Sequence, residues 1–364
     1  MKHLFYLSCC TALCISVFSQ KAQANDPAET LLFDNTPLVE TTNNSKAPDG
    51  SSFLNKLKLL LNLDNKEKIN NDSDETPETE EEKKIRLAQN GDVEAQLFLA
   101  YSYLYGTNNF PNNQQKALKY YTMAAMQGNA TAINNLGSLL FSGSAGTKDI
   151  PLSIELFEAA SEKGDDSATI NLAFLYLTGQ HLAKDVDKAL SYMRKSADFG
   201  NPLAQYMLGM AYLKGIGLPQ NDNLAFSLIQ ASANAGYDVA QLQAAQMLFN
   251  GTGTTQNYVS SKHNLIASSR QGNVDAMTLL ADLSAAGTAF EKDPIGAHAW
   301  YNIASVNGRP DAGEKREEVA KILKKEDILI AQDYAAKFVA QPTKVSQHTL
   351  STFGEDLDLL LTTP

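Results

Sequence analysis

Apolar and small residues recur along this chain on a fixed register, and each block is led by a glycine. The lead glycines are Gly91, Gly128, Gly164, Gly200, Gly236, Gly272 and Gly308, spaced 37 residues once and 36 residues thereafter. Within a block the pattern predicts two helices. In the fourth block, helix A runs from about Pro202 to Lys214, Gly215-Ile-Gly-Leu-Pro219 breaks it, and helix B runs from about Asp222 to Asn234. A fixed period of roughly 20–50 residues marks a solenoid, in which each unit buries its apolar face only against its neighbours.

The positions that hold between blocks have physical readings. Fifteen residues after each of the first six lead glycines stands another: Gly106, Gly143, Gly179, Gly215, Gly251 and Gly287. A helix C-terminus wants a left-handed residue there, and glycine has no side chain to penalise it. Four residues after the lead comes an alanine: Ala95, Ala132, Ala168, Ala204, Ala240, Ala276 and Ala312. The third and fourth residues before each of the six later leads are small, as in Ala160/Ser161, Ser232/Ala233 and Ser268/Ser269. Small pairs there let helix B approach the next helix A closely, against its alanine. An Asp or Asn near each helix B start, such as Asp185 or Asp222, can cap free backbone amides.

The flanks differ from the blocks. Residues 1–24 read as a secretory signal: Lys2 and His3, an apolar run from Leu4 to Phe18, then Ala22-Gln23-Ala24 as a small-x-small cleavage site before Asn25. The run is shorter than the ~20 residues a spanning helix needs, so no membrane span is expected in the mature chain. Residues 25–84 are polar and acidic, with DSDETPETEEE over 72–82, and predict a disordered linker. That acidic run lacks the glycine and terminal glutamate of a calcium loop. Inside the linker, residues 52–63 place Phe53, Leu54, Leu57, Leu60 and Leu61 on one helical stripe, either a cap docking on the first repeat or a helix for a membrane surface or partner. The repeat block spans 85–307, capping helices 308–340, and a loose tail 341–364 ends in the acidic-apolar Asp356–Leu361.

Composition and charge narrow the chemistry. Cys9, Cys10 and Cys14 all lie inside the signal, which leaves the mature chain without disulfides or thiolate ligands. Loss of Lys2 and Lys21 with the signal takes the formal charge from −11 to −13. That balance disfavours nucleic acid as a partner, which requires basic patches. His181, His263, His298 and His348 stand in no metal-ligand spacing. There is no Gly-x-Ser-x-Gly, phosphate loop or dinucleotide fingerprint, and Trp300 reads as helix B packing. No cofactor, metal, small-molecule substrate or catalytic residue is expected, and the chain reads as a non-enzyme.

This combination resembles the Sel1-like repeat family, relatives of the tetratricopeptide repeats. The fourth block carries it as Gly200-Asn-Pro-Leu-Ala-Gln-Tyr-Met-Leu-Gly-Met-Ala-Tyr-Leu-Lys-Gly215 followed by Gly217, and the third adds Asp187-Lys188-Ala189. The second block departs from that last element with Pro151-Leu-Ser-Ile, the fifth with Ser260-Ser-Lys-His, and the sixth has Ser284 where an aromatic or leucine is usual. The resemblance implies an all-α, right-handed α-solenoid of about six helix-turn-helix repeats with C-terminal capping helices. By analogy with tetratricopeptide arrays it implies a concave groove along helix A, lined by the sixth and tenth residues after each lead glycine. The partner-binding candidates are Leu97, Tyr101, Asn134, Phe174, Tyr206, Met210, Gln246 and Asp282, with packing between helices as the alternative for each. The implied function is an exported scaffold for a protein or peptide of unidentified kind. The periplasm is its expected location and the extracellular space the alternative. Roles in envelope signalling, envelope-complex assembly or host contact are compatible. Some disulfide-rich members of the family are credited with penicillin binding, but this chain lacks their cysteines.

Overall fold

A computed structural model describes residues 55–60, 78–179, 181–344 and 346. The signal at 1–24, most of the 25–84 segment and the Asp356–Leu361 tail motif lie outside them. All regular structure among the described residues is helical, and the chain forms two compact units divided between Tyr192 and Met193.

The first unit contains α1 (55–60), α2 (Glu80–Gln89), α3 (Val93–Tyr105), α4 (Gln114–Met126), α5 (Ala130–Ser142), α6 (Ile150–Glu162), α7 (Asp166–Thr178) and the first part of α8 (Val186–Asp198). The second contains the rest of α8, then α9 (Pro202–Lys214), α10 (Asp222–Asn234), α11 (Asp238–Asn250), α12 (Tyr258–Arg270), α13 (Val274–Ala286), α14 (Pro294–Val306), α15 (Ala312–Ala320) and α16 (Lys325–Lys337). Helices α3 to α14 are the A and B helices of six repeats.

Each repeat is built by the same local devices. Helix A ends on Gly106, Gly143, Gly179, Gly215, Gly251 or Gly287, all left-handed with φ between 67° and 75°. The chain then turns so that the residue before helix B donates its amide to a carbonyl in the last turn of helix A. Asn113 donates to Tyr103, Asp149 to Leu140, Asp185 to Tyr176, Asn221 to Tyr212, Asn257 to Leu248 and Asp293 to Ser284, at 2.7–3.0 Å. The same six side chains cap helix B by accepting the amide three residues on, as Asp185 does from Lys188 at 2.9 Å. In the fourth repeat the cap is Asn221; Asp222 is the first helical residue. The carboxamide has the extended backbone a cap requires, which Asp222 has given up.

Packing accounts for the small residues. Ala95, Ala132, Ala168, Ala204, Ala240 and Ala276 are all buried. Mid-helix Gly209 lets helices A and B touch, because a Cβ there would lie 2.7 Å from Ile229 Cγ1. The small pair before each lead glycine serves two neighbours, where the sequence suggested only the next helix A. Ser232 Oγ donates to Pro202 O at 2.6 Å, and Ser268 Oγ to Asp238 O at 2.8 Å, both in their own repeat's helix A. The residue one place on turns to the following helix, and Ser161 Oγ meets Thr169 Oγ1 at 2.8 Å. Adjacent helical positions point about 100° apart, so one pair can serve both sides.

Three flank expectations change, the first being the loose tail, in which Gln341, Thr343 and Ser346 bond to the fifth repeat. The acidic run ends in structure: Thr79 and Glu82 form a capping box, and α2 starts at Glu80, five residues before the expected array boundary. Glu80, Glu81 and Glu82 in its first turn complement the helix dipole. The α1 helix packs with Leu57 fully buried, and Lys56 pairs with Glu155 of α6 at 2.6 Å. That ion pair is made to the second repeat. At the other end Trp300 lies edge-on to Tyr334 and Phe338, with ring centroids 5.7 and 5.6 Å away, so α16 and its C-cap cover the last repeat.

Candidate partner-binding groove

Helix A of the fifth repeat, α11, presents Gln243, Gln246 and Asn250 at i, i+3 and i+7, a spacing that aligns them on one stripe. In the second unit they line a cleft of about 410 Å³ with Leu213 of α9, Met247 and Phe249 of α11, Thr252, Ser261, and Leu279 and Leu283 of α13. Every lining residue is uncharged. Three carboxamides thus face a wall of leucines. Ser261 is already committed, its hydroxyl donating to Ala245 O at 2.8 Å, whereas Gln246 and Asn250 are exposed.

The sequence candidates divide. Gln246 lies in the cleft. Leu97, Tyr101 and Phe174 in the first unit are half-buried, and the Tyr101 ring rests against Tyr105 at 4.8 Å. Tyr206, Met210 and Asn134 are core residues, at 1%, 3% and 0% exposure. Tyr206 packs edge-on against Tyr237, 5.3 Å between centroids, and Asn134 Oδ1 accepts from buried Asn171 at 3.2 Å. Asp282 is occupied from within: Tyr301 donates its hydroxyl at 2.5 Å and Lys315 its ammonium at 3.0 Å. Burial and that carboxylate hold the Tyr301 hydroxyl well above its ordinary pKa.

Position in the repeat does not decide the outcome by itself: the tenth residue after the lead glycine lines the cleft in the fifth repeat, as Gln246, and is core in the fourth, as Met210. Gln243 and Asn250 were within reach of sequence reasoning, since they stand three and four residues from Gln246. The leucine wall was not, because Leu213, Leu279 and Leu283 belong to other repeats. Among the described residues no cluster of His, Cys, Asp or Glu could hold a metal ion. Burial lowers the pKa of His298, whose Nδ1 is buried without a hydrogen-bond partner.

The Sel1 repeat model matches six consecutive segments, 93–129, 130–165, 166–201, 202–237, 238–273 and 274–307, more than half the chain. The chain belongs to the Sel1 repeat family. Its fold is the Sel1-like α-solenoid, and such proteins are generally interaction scaffolds. One similar solved structure is c5321 of Escherichia coli, a protective antigen present in uropathogenic strains and displaying an SLR fold. It is 25% identical with a TM-score of 0.64, over 75% of this chain and 58% of that one. The present chain thus spans little more than half that protein's length. A Sel1 repeat protein from Oxalobacter formigenes matches 62% of this chain and 96% of its own, at 24% identity and TM-score 0.52, a likeness of fold. No curated protein matches the chain. No helix among the described residues is long and apolar enough to cross a membrane.

Proposed function

We propose that this chain is an exported, non-enzymatic protein-interaction scaffold that holds an extended segment of its partner along the Gln243–Gln246–Asn250 stripe. The carboxamide stripe opposite the leucines carries the reading. Each carboxamide offers two donors and an acceptor, matching the alternating N–H and C=O groups of an extended main chain. The leucines supply apolar contacts for side chains on the other face of that segment. The export signal read at 1–24 supports a periplasmic adaptor, either regulating an envelope receptor or assisting assembly of an envelope complex.

A photo-crosslinking residue at position 246, carried by the mature chain in envelope fractions, tests the groove. A discrete protein adduct is expected, and Gln243→Ala with Asn250→Ala should weaken it without moving the melting curve. An adduct pattern identical to that from a convex-face position on helix B would remove the groove from consideration. Periplasmic fractionation, with a mature N-terminus at Asn25, tests the export reading. The likeness to an antigen of pathogenic strains supports host contact as a second reading, which requires the protein in culture supernatant or host fractions.

A further inference from the structure

Two of the six repeats carry the same pair of glutamines, five residues after the lead glycine and one residue before the next. They are Gln96 with Gln127 in the first repeat and Gln241 with Gln271 in the fifth; no other repeat has both. The pairs make the same bonds. Gln127 Nε2 donates to Gly91 O at 3.0 Å and Gln96 Oε1 at 2.9 Å, while Gln271 Nε2 donates to Gly236 O at 3.0 Å and Gln241 Oε1 at 2.8 Å. Gln96 and Gln241 in turn donate to Ala88 O and Ala233 O. The amide nitrogens are thereby committed to the repeat, and the second glutamine's Oε1 becomes an outward acceptor beside the glycine carbonyl. We call this arrangement a ledge.

In the fifth repeat the chain's own C-terminal segment occupies the ledge. Thr343 donates its amide to Gln271 Oε1 at 2.8 Å and its hydroxyl to Gly236 O at 2.7 Å. The Ser346 hydroxyl lies 2.8 Å from Gln271 Oε1 and accepts the Asp238 amide at 3.0 Å. Gln341 adds a backbone bond to Arg270 O at 2.8 Å. Gln271 is buried as a result, whereas Gln127 and Gly91 are exposed.

We propose that the ledge formed by Gly91, Gln96 and Gln127 binds an extended segment of another protein in which a threonine is followed, three residues on, by a serine. The occupied ledge defines the chemistry: a main-chain N–H and a threonine hydroxyl for the two outward acceptors, and a serine oxygen for the first amide of the same repeat's helix A. The chain's own tail is retained on the fifth repeat. There it acts at an effective concentration of about millimolar, which a second copy at ordinary concentration does not match. This surface is separate from the carboxamide groove.

The test uses the full chain and a fluorescent peptide with the sequence of residues 339–348, read by anisotropy. Saturable 1:1 binding is expected. Gln127→Ala should weaken it at least tenfold, as should threonine→valine in the peptide, which leaves the protein's folding untouched. Gln246→Ala should not change it, separating this surface from the groove. No binding, or binding indifferent to both the Gln127 and threonine changes, overturns the proposal. Dimerisation of the full chain that Gln127→Ala abolishes overturns the choice of occupant and assigns the ledge to a second copy.

Discussion

The first and fifth repeats solve the same problem at the start of helix A by different means. In the first, exposed Asp92 caps α3, accepting the Ala95 amide at 2.7 Å. In the fifth, the equivalent residue is Tyr237, which makes no side-chain cap bond and is instead buried against Tyr206. Its ring contributes to the core what its side chain cannot supply to the helix end. A different amide of that helix end, the one of Asp238 at the first helical position, is taken by Ser346, more than a hundred residues away. A solenoid is often treated as a sum of equivalent units. Here one unit is completed by the tail and another is completed locally, so the two should fail differently when disturbed.

The turns after helix A should separate them most. Gly253 and Asn108 hold equivalent positions at φ 67° and 53°, but a methyl on Gly253 would overlap the Asp222 carbonyl oxygen. Left-handed strain and a backbone clash together predict that Gly253→Ala costs about 3 kcal/mol or more. Asn108→Gly, which loses the side-chain bonds to Ser102 and Thr107, should cost about 1 kcal/mol. Denaturant melts of the two variants check this, and equal losses would show that the turns are interchangeable.

A third helix start sharpens the comparison. Asp165 caps α7 as Asp92 caps α3, but it is buried, and desolvation pushes its pKa up to about 6. Because the folded carboxyl holds its proton more tightly than the unfolded one, its contribution is fully present below about pH 4. It is lost as pH rises through 6. Asp165→Asn keeps the cap, as Asn129 and Asn201 do at equivalent positions. It should add about 2 kcal/mol at pH 7 and flatten the melting temperature between pH 4 and 6. Unchanged pH dependence would mean the buried charge is compensated.

The glutamines come next. Gln271→Ala strands the groups of the docked tail and should cost about 2 kcal/mol, against about 0.5 for Gln127→Ala at the exposed ledge. Equal costs would erase the distinction between the ledges. Ser346→Ala should cost about 1 kcal/mol, between the two glutamine changes, the value of the hydrogen bond it makes to the Asp238 amide. It should be accompanied by faster amide exchange at Asp238, read by hydrogen-exchange mass spectrometry.

Much of the fold was legible because its determinants are local. Helix A of the fourth repeat runs from Pro202 to Lys214, as the breaker at Gly215 predicts, and the left-handed conformation of that glycine needs no distant residue. The groove was less legible. A helical period indicates that Gln246 shares a stripe with Gln243 and Asn250, but not which stripe faces outward. Tyr206 and Met210 show the difficulty: their residue types suit an exposed anchor and a core equally, and neighbours contributed by tertiary packing put them inside.

What the sequence determined by itself was the repeat, its helices, their ends and the close packing of small residues, because each depends on interactions within about forty positions. Tertiary structure alone decided that Asp282 belongs to Tyr301 and Lys315, that Lys56 of α1 pairs with Glu155 of α6, and that the tail covers Gln271 but leaves Gln127 bare. Those pairings join residues through space that no period relates. A repeating pattern specifies how a unit is built, and it is silent on which copy another segment of chain will cover.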